Sequence, residues 1–238
     1  MLKIKNLKKS FGGILATDNL TFEVETGEIH ALIGPNGAGK TSLIGQITGE
    51  IKQDSGKIIF DGKDISDLPI HTRSALGLAR SFQITNIFNE MTTLDNVALA
   101  VQARLGHSFC FWENATIDPK LRTPASIFLQ KVGLEKRADI NAGELSHGEH
   151  RQLEISMALA TNPKILLLDE PMAGMGTEES KSMVEILQKL KNKLTILLVE
   201  HDMNVVFALA DKITVLVYGE KIVTDTPKAI RNNPEVQA

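Results

Sequence analysis

At 238 residues, 42% of them apolar and 23% charged, the chain has ordinary globular proportions and is long enough to bury a core. Its net charge of −3 gives no electrostatic reason to expect nucleic acid or an anionic membrane as the main partner. The single cysteine, Cys110, rules out an intramolecular disulfide and a multi-cysteine metal site, and fits a reducing compartment.

Met1 to Asn6 alternate apolar and polar residues as a strand does, so no signal peptide is expected there. Leu2 to Leu7 and Asn19 to Glu25 read as strands joined by a turn around Gly12-Gly13. The apolar run Ile29 to Ile33 predicts a buried strand, and Ser42 to Thr48 a helix. Ile58-Ile59-Phe60 ends at the hairpin signal Asp61-Gly62, so an antiparallel sheet is expected beside the core. Pro69 to Leu76 suits a helix that starts at proline, and Ala79 to Gln83 a short strand or connector.

From about Thr92 to Lys136 the pattern turns helical: Leu94, Val97, Ala98 and Val101 recur at one face, and Ile127, Gln130 and Lys131 continue a second, less regular segment. Between them, Phe109, Cys110, Phe111 and Trp112 either fold back on the helices or meet a partner. Helices marked by Leu153, Met157 and Ala160, by Met183, Ile186, Leu187 and Leu190, and by Met203, Val206, Phe207 and Ala210 then alternate with strands. Those strands are Ile165 to Leu168, Leu194 to Val199 and Ile213 to Val217. Such alternation argues a parallel sheet covered on both faces. No apolar run approaches the ~20 residues that span a bilayer.

Between the strand at Ile29 and the helix at Ser42 stands Gly34-Pro35-Asn36-Gly37-Ala38-Gly39-Lys40-Thr41. It matches the phosphate-binding P-loop, in which glycines let successive backbone N–H groups face one anion. The helix that follows adds the positive end of its dipole. Lys40 is the candidate for the β- and γ-phosphates and Thr41 for magnesium, with Ser42 next in the same cradle. A second motif, Ile165-Leu166-Leu167-Leu168-Asp169-Glu170, ends an apolar strand in two carboxylates. Asp169 would hold magnesium through its water shell, and Glu170 would orient or deprotonate the attacking water.

With these two motifs and the peptide Leu145-Ser146-His147-Gly148-Glu149-His150-Arg151-Gln152, the whole chain resembles the ATP-binding cassette ATPases of ABC transporters. That peptide is similar to their LSGGQ signature. The resemblance implies an α/β fold: a P-loop NTPase core, an antiparallel β subdomain and an inserted α-helical subdomain. One ABC ATPase domain would cover residues 1–238, with the core at about 1–88 and 160–238 and the helical part, signature included, at about 89–159. It further implies ATP and Mg2+ as cofactors, and a head-to-tail dimer in which Ser146, Gly148 and Glu149 of one copy face the nucleotide on the P-loop of the other. By the same resemblance Phe11 stacks on adenine, Gln83 touches magnesium and water, and His201 contacts the γ-phosphate. Two departures stand out: His147 replaces the signature's usual glycine, and Ala173-Gly174-Met175-Gly176 lacks the usual aspartate.

The segments Pro171 to Met175 and Val199 to Met203, with the tail Thr226 to Val236, resemble the importers of branched-chain amino acids, including the related urea type. Expected partners are therefore a second ATPase copy or a similar ATPase, transmembrane permease subunits and, indirectly, a solute-binding protein. The expected location is peripheral, on the cytoplasmic face of the inner membrane. The alternatives are an exporter ATPase, such as the lipopolysaccharide type, and a nucleotide-gated binding module with little hydrolysis. A small-molecule P-loop kinase would leave Leu145 to Gln152 unexplained.

Overall fold

The computed structural model describes residues 1–81, 87–106 and 117–237. In chain order, β1 (Leu2–Phe11), β2 (Ile14–Val24) and β3 (Ile29–Ile33) lead to α1 (Lys40–Thr48). Next come β4 (Ser55–Phe60), β5 (Lys63–Asp64), α2 (Ile70–Ala75) and β6 (Leu78–Arg80). The helices α3 (Thr93–Leu105), α4 (Pro119–Lys131) and α5 (His147–Ala160) precede β7 (Ile165–Asp169) and α6 (Thr177–Leu190). The chain finishes with β8 (Thr195–Val199), α7 (Met203–Leu209), β9 (Lys212–Val217), β10 (Glu220–Asp225), α8 (Pro227–Arg231) and α9 (Pro234–Gln237).

Two compact units divide these elements: Met1–Arg80, Lys164–Glu170 and Leu187–Ala238 form one, and Ser81–Pro163 with Pro171–Ile186 the other. The first holds both sheets. One is antiparallel, in the order β2-β1-β4-β5; the other runs β10-β9-β3-β8-β7-β6 and is parallel apart from β10. The expected pair of sheets is thus present. β3, β7 and β8 are buried along their whole length, which is why they read as unbroken apolar runs.

The central strand serves two cores at once, because side chains alternate across a strand. Leu32 packs with α1 residues Leu43, Ile44 and Ile47 and with Leu2, Ile4 and Phe60 of the antiparallel sheet. Ala31 and Ile33, one residue to either side, pack with Val206, Ile213, Val215 and Ile230. Each fully buried aliphatic side chain contributes about 1.5–3 kcal/mol. The strand before the P-loop is therefore clamped from both faces, and the loop starts from a rigid base.

β1 and β2 are longer than their alternation suggests. Asn6 and Asn19 both take positive φ, 49° each, and the β1–β2 register shifts between Ile4 and Leu7 and twice more before Phe11. Such bulges break the period of two. Asp54 pins the far end of β1: it accepts from Lys9 Nζ at 2.7 Å and from Ser10 N at 2.7 Å. The hydrogen bond from Lys9, then that from Ser10, hold its carboxyl down at about 2, against about 3.9 in an unfolded chain. A depressed carboxyl stabilises the fold above its unfolded value and loses that contribution as pH falls through its folded one. Asp54→Asn is expected to melt below the parent at pH 7, with the gap closing between about pH 4 and pH 2; melts across that range check it.

In the second unit α3, α4 and α5 touch pairwise. Thr92 caps α3 by accepting from Asp95 N at 3.1 Å, and Arg122 of α4 reaches Asp95 at 2.7 Å. The buried stripe of α3 contains Leu94, Val97, Ala98 and Val101, as expected. On α4 it is Leu121, Ala125 and Leu129; Ile127 is 49% exposed and Lys131 is exposed too, so the expected face is corrected. The i, i+4, i+8 spacing runs through a small alanine and past Pro124, and this hides the stripe. Phe109 to Trp112 lie outside the described residues. Among the described residues no helix is long and apolar enough to cross a membrane.

Candidate active site

The P-loop leaves the end of β3 and closes onto its neighbours without room for side chains at two glycines. Gly34 has φ 152° and Gly39 φ 98°; a Cβ on the first would stand 2.1 Å from Leu216 O, and on the second 2.0 Å from Ala16 O. Gly39 also occupies the N-cap position of α1, where no side chain accepts a hydrogen bond, so the helix's first N–H groups are left for an external acceptor. Lys40 is 8% exposed, and its ammonium donates to Gly34 O at 2.7 Å and Pro35 O at 3.0 Å. Two of three protons hold the loop in shape and one remains for an anion. Pro35, Asn36, Gly37 and Thr41 are exposed, Ser42 half-buried and Ala38 buried. Gly39→Ala is expected to cost about 2 kcal/mol or more and to lose nucleotide binding; thermal melts with and without ATP check it.

β7, separated from β3 by β8 alone, delivers the carboxylates. Asp169 is 4% exposed, and Arg80 Nη2 donates to its Oδ2 at 3.2 Å while Arg80 Nη1 donates to Glu50 at 2.6 Å. Burial pushes the Asp169 carboxyl up; Arg80 opposes this, Glu170 adds to it, and the Lys40 charge draws it down again. The P-loop lysine and this aspartate thus share one electrostatic neighbourhood. Glu170 follows at φ 49°, half-buried, with its N–H donating to Val199 O at 2.9 Å. That left-handed turn carries the chain off the strand directly after Asp169, at the carboxyl edge where open α/β sheets bind ligands.

His201 leaves the end of β8 with its side chain 67% exposed, 3.7 Å from buried Glu200. Glu200 Oε2 accepts from His201 N at 3.0 Å. Phe11, at the end of β1, is 49% exposed, with Lys9 Nζ over its ring 5.4 Å from the centroid. Gln83 lies outside the described residues.

The signature turn belongs to the second unit. Ser146 caps α5 by accepting from Glu149 N at 3.2 Å, and Glu149 in turn accepts from Ser146 N at 2.8 Å and from Arg137 at 2.8 Å. Burial works against it, yet the Ser146 N–H and Arg137 hold the Glu149 carboxyl below its usual range. Such a reciprocal cap fixes the turn with Ser146 exposed and Gly148 buried. His147 does more than replace a glycine: its Nε2 lies 3.1 Å from Ala173 O, a donor in the Nε2–H tautomer. Arg80, Glu50 and Glu200 went unassigned in the sequence, although Arg80 and Glu200 stand in the same short motifs as Gln83 and His201.

The residues fit a magnesium nucleotide. No group of three or more His, Cys, Asp or Glu among the described residues could hold a metal alone. Magnesium typically takes one or two protein ligands and completes its shell with phosphates and water, and Asp169 with Thr41 offers such a partial set.

The family model for "ABC transporter" matches residues 17–173. The branched-chain amino acid transport ATP-binding protein LivG of Escherichia coli K12 is 36% identical over 250 residues, covering 99% of this chain and 95% of LivG. The ADP conformation of MJ1267, an ATP-binding cassette of an ABC transporter, superposes with TM-score 0.87 at 31% identity, covering 100% of this chain and 96% of that one. The dimeric post-hydrolysis state of the cassette MJ0796, bound to ADP and Pi, gives TM-score 0.79 at 27% identity over 95% of this chain and 99% of that one. A P-loop, a strand ending in paired carboxylates and a signature turn on one α/β frame define an ATP-binding cassette. The chain belongs to the ABC transporter family and is an ATP-binding ATPase subunit.

Proposed function

We propose that the protein hydrolyses MgATP at a site shared by two copies, or by one copy and a similar ATPase, and thereby powers import through separate transmembrane subunits. The observation that carries this is the charge cradle of the first unit. Lys40 is held inside its own loop after β3, and buried Asp169, with Glu170 next in the chain, ends β7 two strands away in the same sheet. Lys40 would draw charge from the phosphates, and Glu170 would align the water and take its proton. Thr41 and Asp169, and in this reading Gln83, would hold magnesium, which would neutralise charge on the phosphates. Arg80, paired with Asp169, gives that carboxylate a counter-charge when the cation is away. Phe11 would stack on the base, and His201 would donate to the outer phosphate. Ser146 and Gly148 would serve the nucleotide of the opposing copy, with Glu149 keeping their turn in shape.

LivG supports branched-chain amino acids as the cargo, and the MJ0796 dimer supports paired cassettes. A peripheral position on the cytoplasmic face of the inner membrane and an external solute-binding protein belong to the same reading. Reconstitution with transmembrane permease subunits tests it: ATP-dependent uptake of leucine, isoleucine or valine that Glu170→Gln abolishes is the expected result. A lipid leaving the membrane instead would replace import by export.

A further inference from the structure

The signature turn already holds a carboxylate of its own chain. Glu179, in the first turn of α6, brings Oε1 to 3.3 Å from Ser146 Oγ. Its other oxygen, Oε2, accepts from Gly176 N at 3.1 Å. A Cβ placed on Gly148 would meet the Glu179 carboxyl carbon and Oε1 at 2.7 Å, so this side chain lies directly against the turn's glycine.

The Ser146 hydroxyl has one proton. Its oxygen already accepts from Glu149 N, and the proton points to Glu179. While it donates there it is not available to another anion, so a phosphate must compete with that carboxylate for it. The start of a long helix such as α5 favours negative charge, and a carboxylate is what now sits there.

The neighbouring residues make this contact a resting position. Glu179, at the third position of α6, accepts from Gly176 N and keeps that bond when Ser146 is released. His147, through Ala173 O, ties the signature turn to the loop that leads into α6 and so sets the spacing. A carboxylate and a phosphate cannot share the place, because like charges at contact distance repel strongly where water is excluded.

We propose that Glu179 is a positioning residue acting through Ser146: it occupies the anion position of the signature turn until a nucleotide phosphate on the opposing copy displaces it. It thereby sets the ATP concentration at which two copies associate. This rests on the reading above that Ser146 and Gly148 meet the opposing copy's nucleotide.

The test measures the MgATP concentration for half-maximal association, by light scattering, in the Glu170→Gln background. Glu179→Gln removes the charge but keeps an oxygen for Gly176 N; it is expected to lower that concentration about threefold to tenfold, with little change in melting temperature. Ser146→Ala is expected to raise it about tenfold, and Glu179→Gln added to Ser146→Ala should then lower it by clearly less than Glu179→Gln does alone. Should Ser146→Ala raise the concentration while Glu179→Gln leaves it unchanged or raises it, the role of Glu179 is overturned and the shared site stands. An equal effect of Glu179→Gln with and without Ser146 also overturns it, because Glu179 would then act elsewhere. An unchanged value for Ser146→Ala sinks the shared site itself. Should the glutamine variant fold poorly, Glu179→Ala combined with Ser146→Ala tests the same coupling.

Discussion

Glu170→Gln is expected to bind ATP as the parent does and to release phosphate about a hundredfold more slowly or worse. The carboxylate stands half-buried at the first residue past β7, in a left-handed turn fixed by its own N–H on Val199 O. Glutamine keeps the size and the backbone shape but cannot take a proton from water. It also removes a negative charge that pushes Asp169 up, so binding of a nucleotide with its cation should hold or improve. Equilibrium dialysis for binding and phosphate release at saturating ATP separate the two effects. Unchanged release would remove Glu170 from the chemistry.

Lys40→Met should act on the other half of the ledger. The ammonium bonds both Gly34 O and Pro35 O, and a charge-assisted hydrogen bond contributes about 1.5–3 kcal/mol. Its loss removes the phosphate's cation and leaves two loop carbonyls short of their donor. Nucleotide affinity is expected to fall by about tenfold to more than a hundredfold, with a lower melting temperature even without nucleotide. Titration with a fluorescent ATP analogue measures the first change and a melt the second. A variant that binds as tightly as the parent would show that the loop's N–H groups alone hold the phosphates.

The parts of the fold written in local pattern were legible in the sequence. β3, β7 and β8 are apolar throughout because both faces are covered; the P-loop and the signature peptide carry their chemistry in consecutive residues. β10, with four charged or polar residues in Glu220–Asp225 at a sheet edge, gives no such run, and the short α8 and α9 offer no period to read. The positive φ of Asn6 and Asn19 interrupts alternation that would otherwise mark the full strands. On α4 the buried stripe is too sparse to distinguish from its exposed neighbours.

The candidate site divides in the same way. Its glycines and Lys40 stand in one short run and Asp169 and Glu170 in another, whereas the partners that tune them come from afar. Arg80 reaches Asp169 across 89 positions, and Ser146 reaches Glu179 across 33. Glu179 shows as a charge at a helix start, with nothing local to say which turn it meets. Gly176 in place of an aspartate reads as a loss in the sequence; in the fold its backbone N–H bonds Glu179.

Two copies holding ATP between the P-loop of one and the signature turn of the other is the claim on which the rest depends. Small-angle scattering of Glu170→Gln, with and without saturating MgATP, addresses it most directly. A doubling of mass on adding nucleotide, needing about tenfold more MgATP with Ser146→Ala, is the predicted result. A protein that stays monomeric at saturating MgATP, alone and with its membrane subunits, would contradict it.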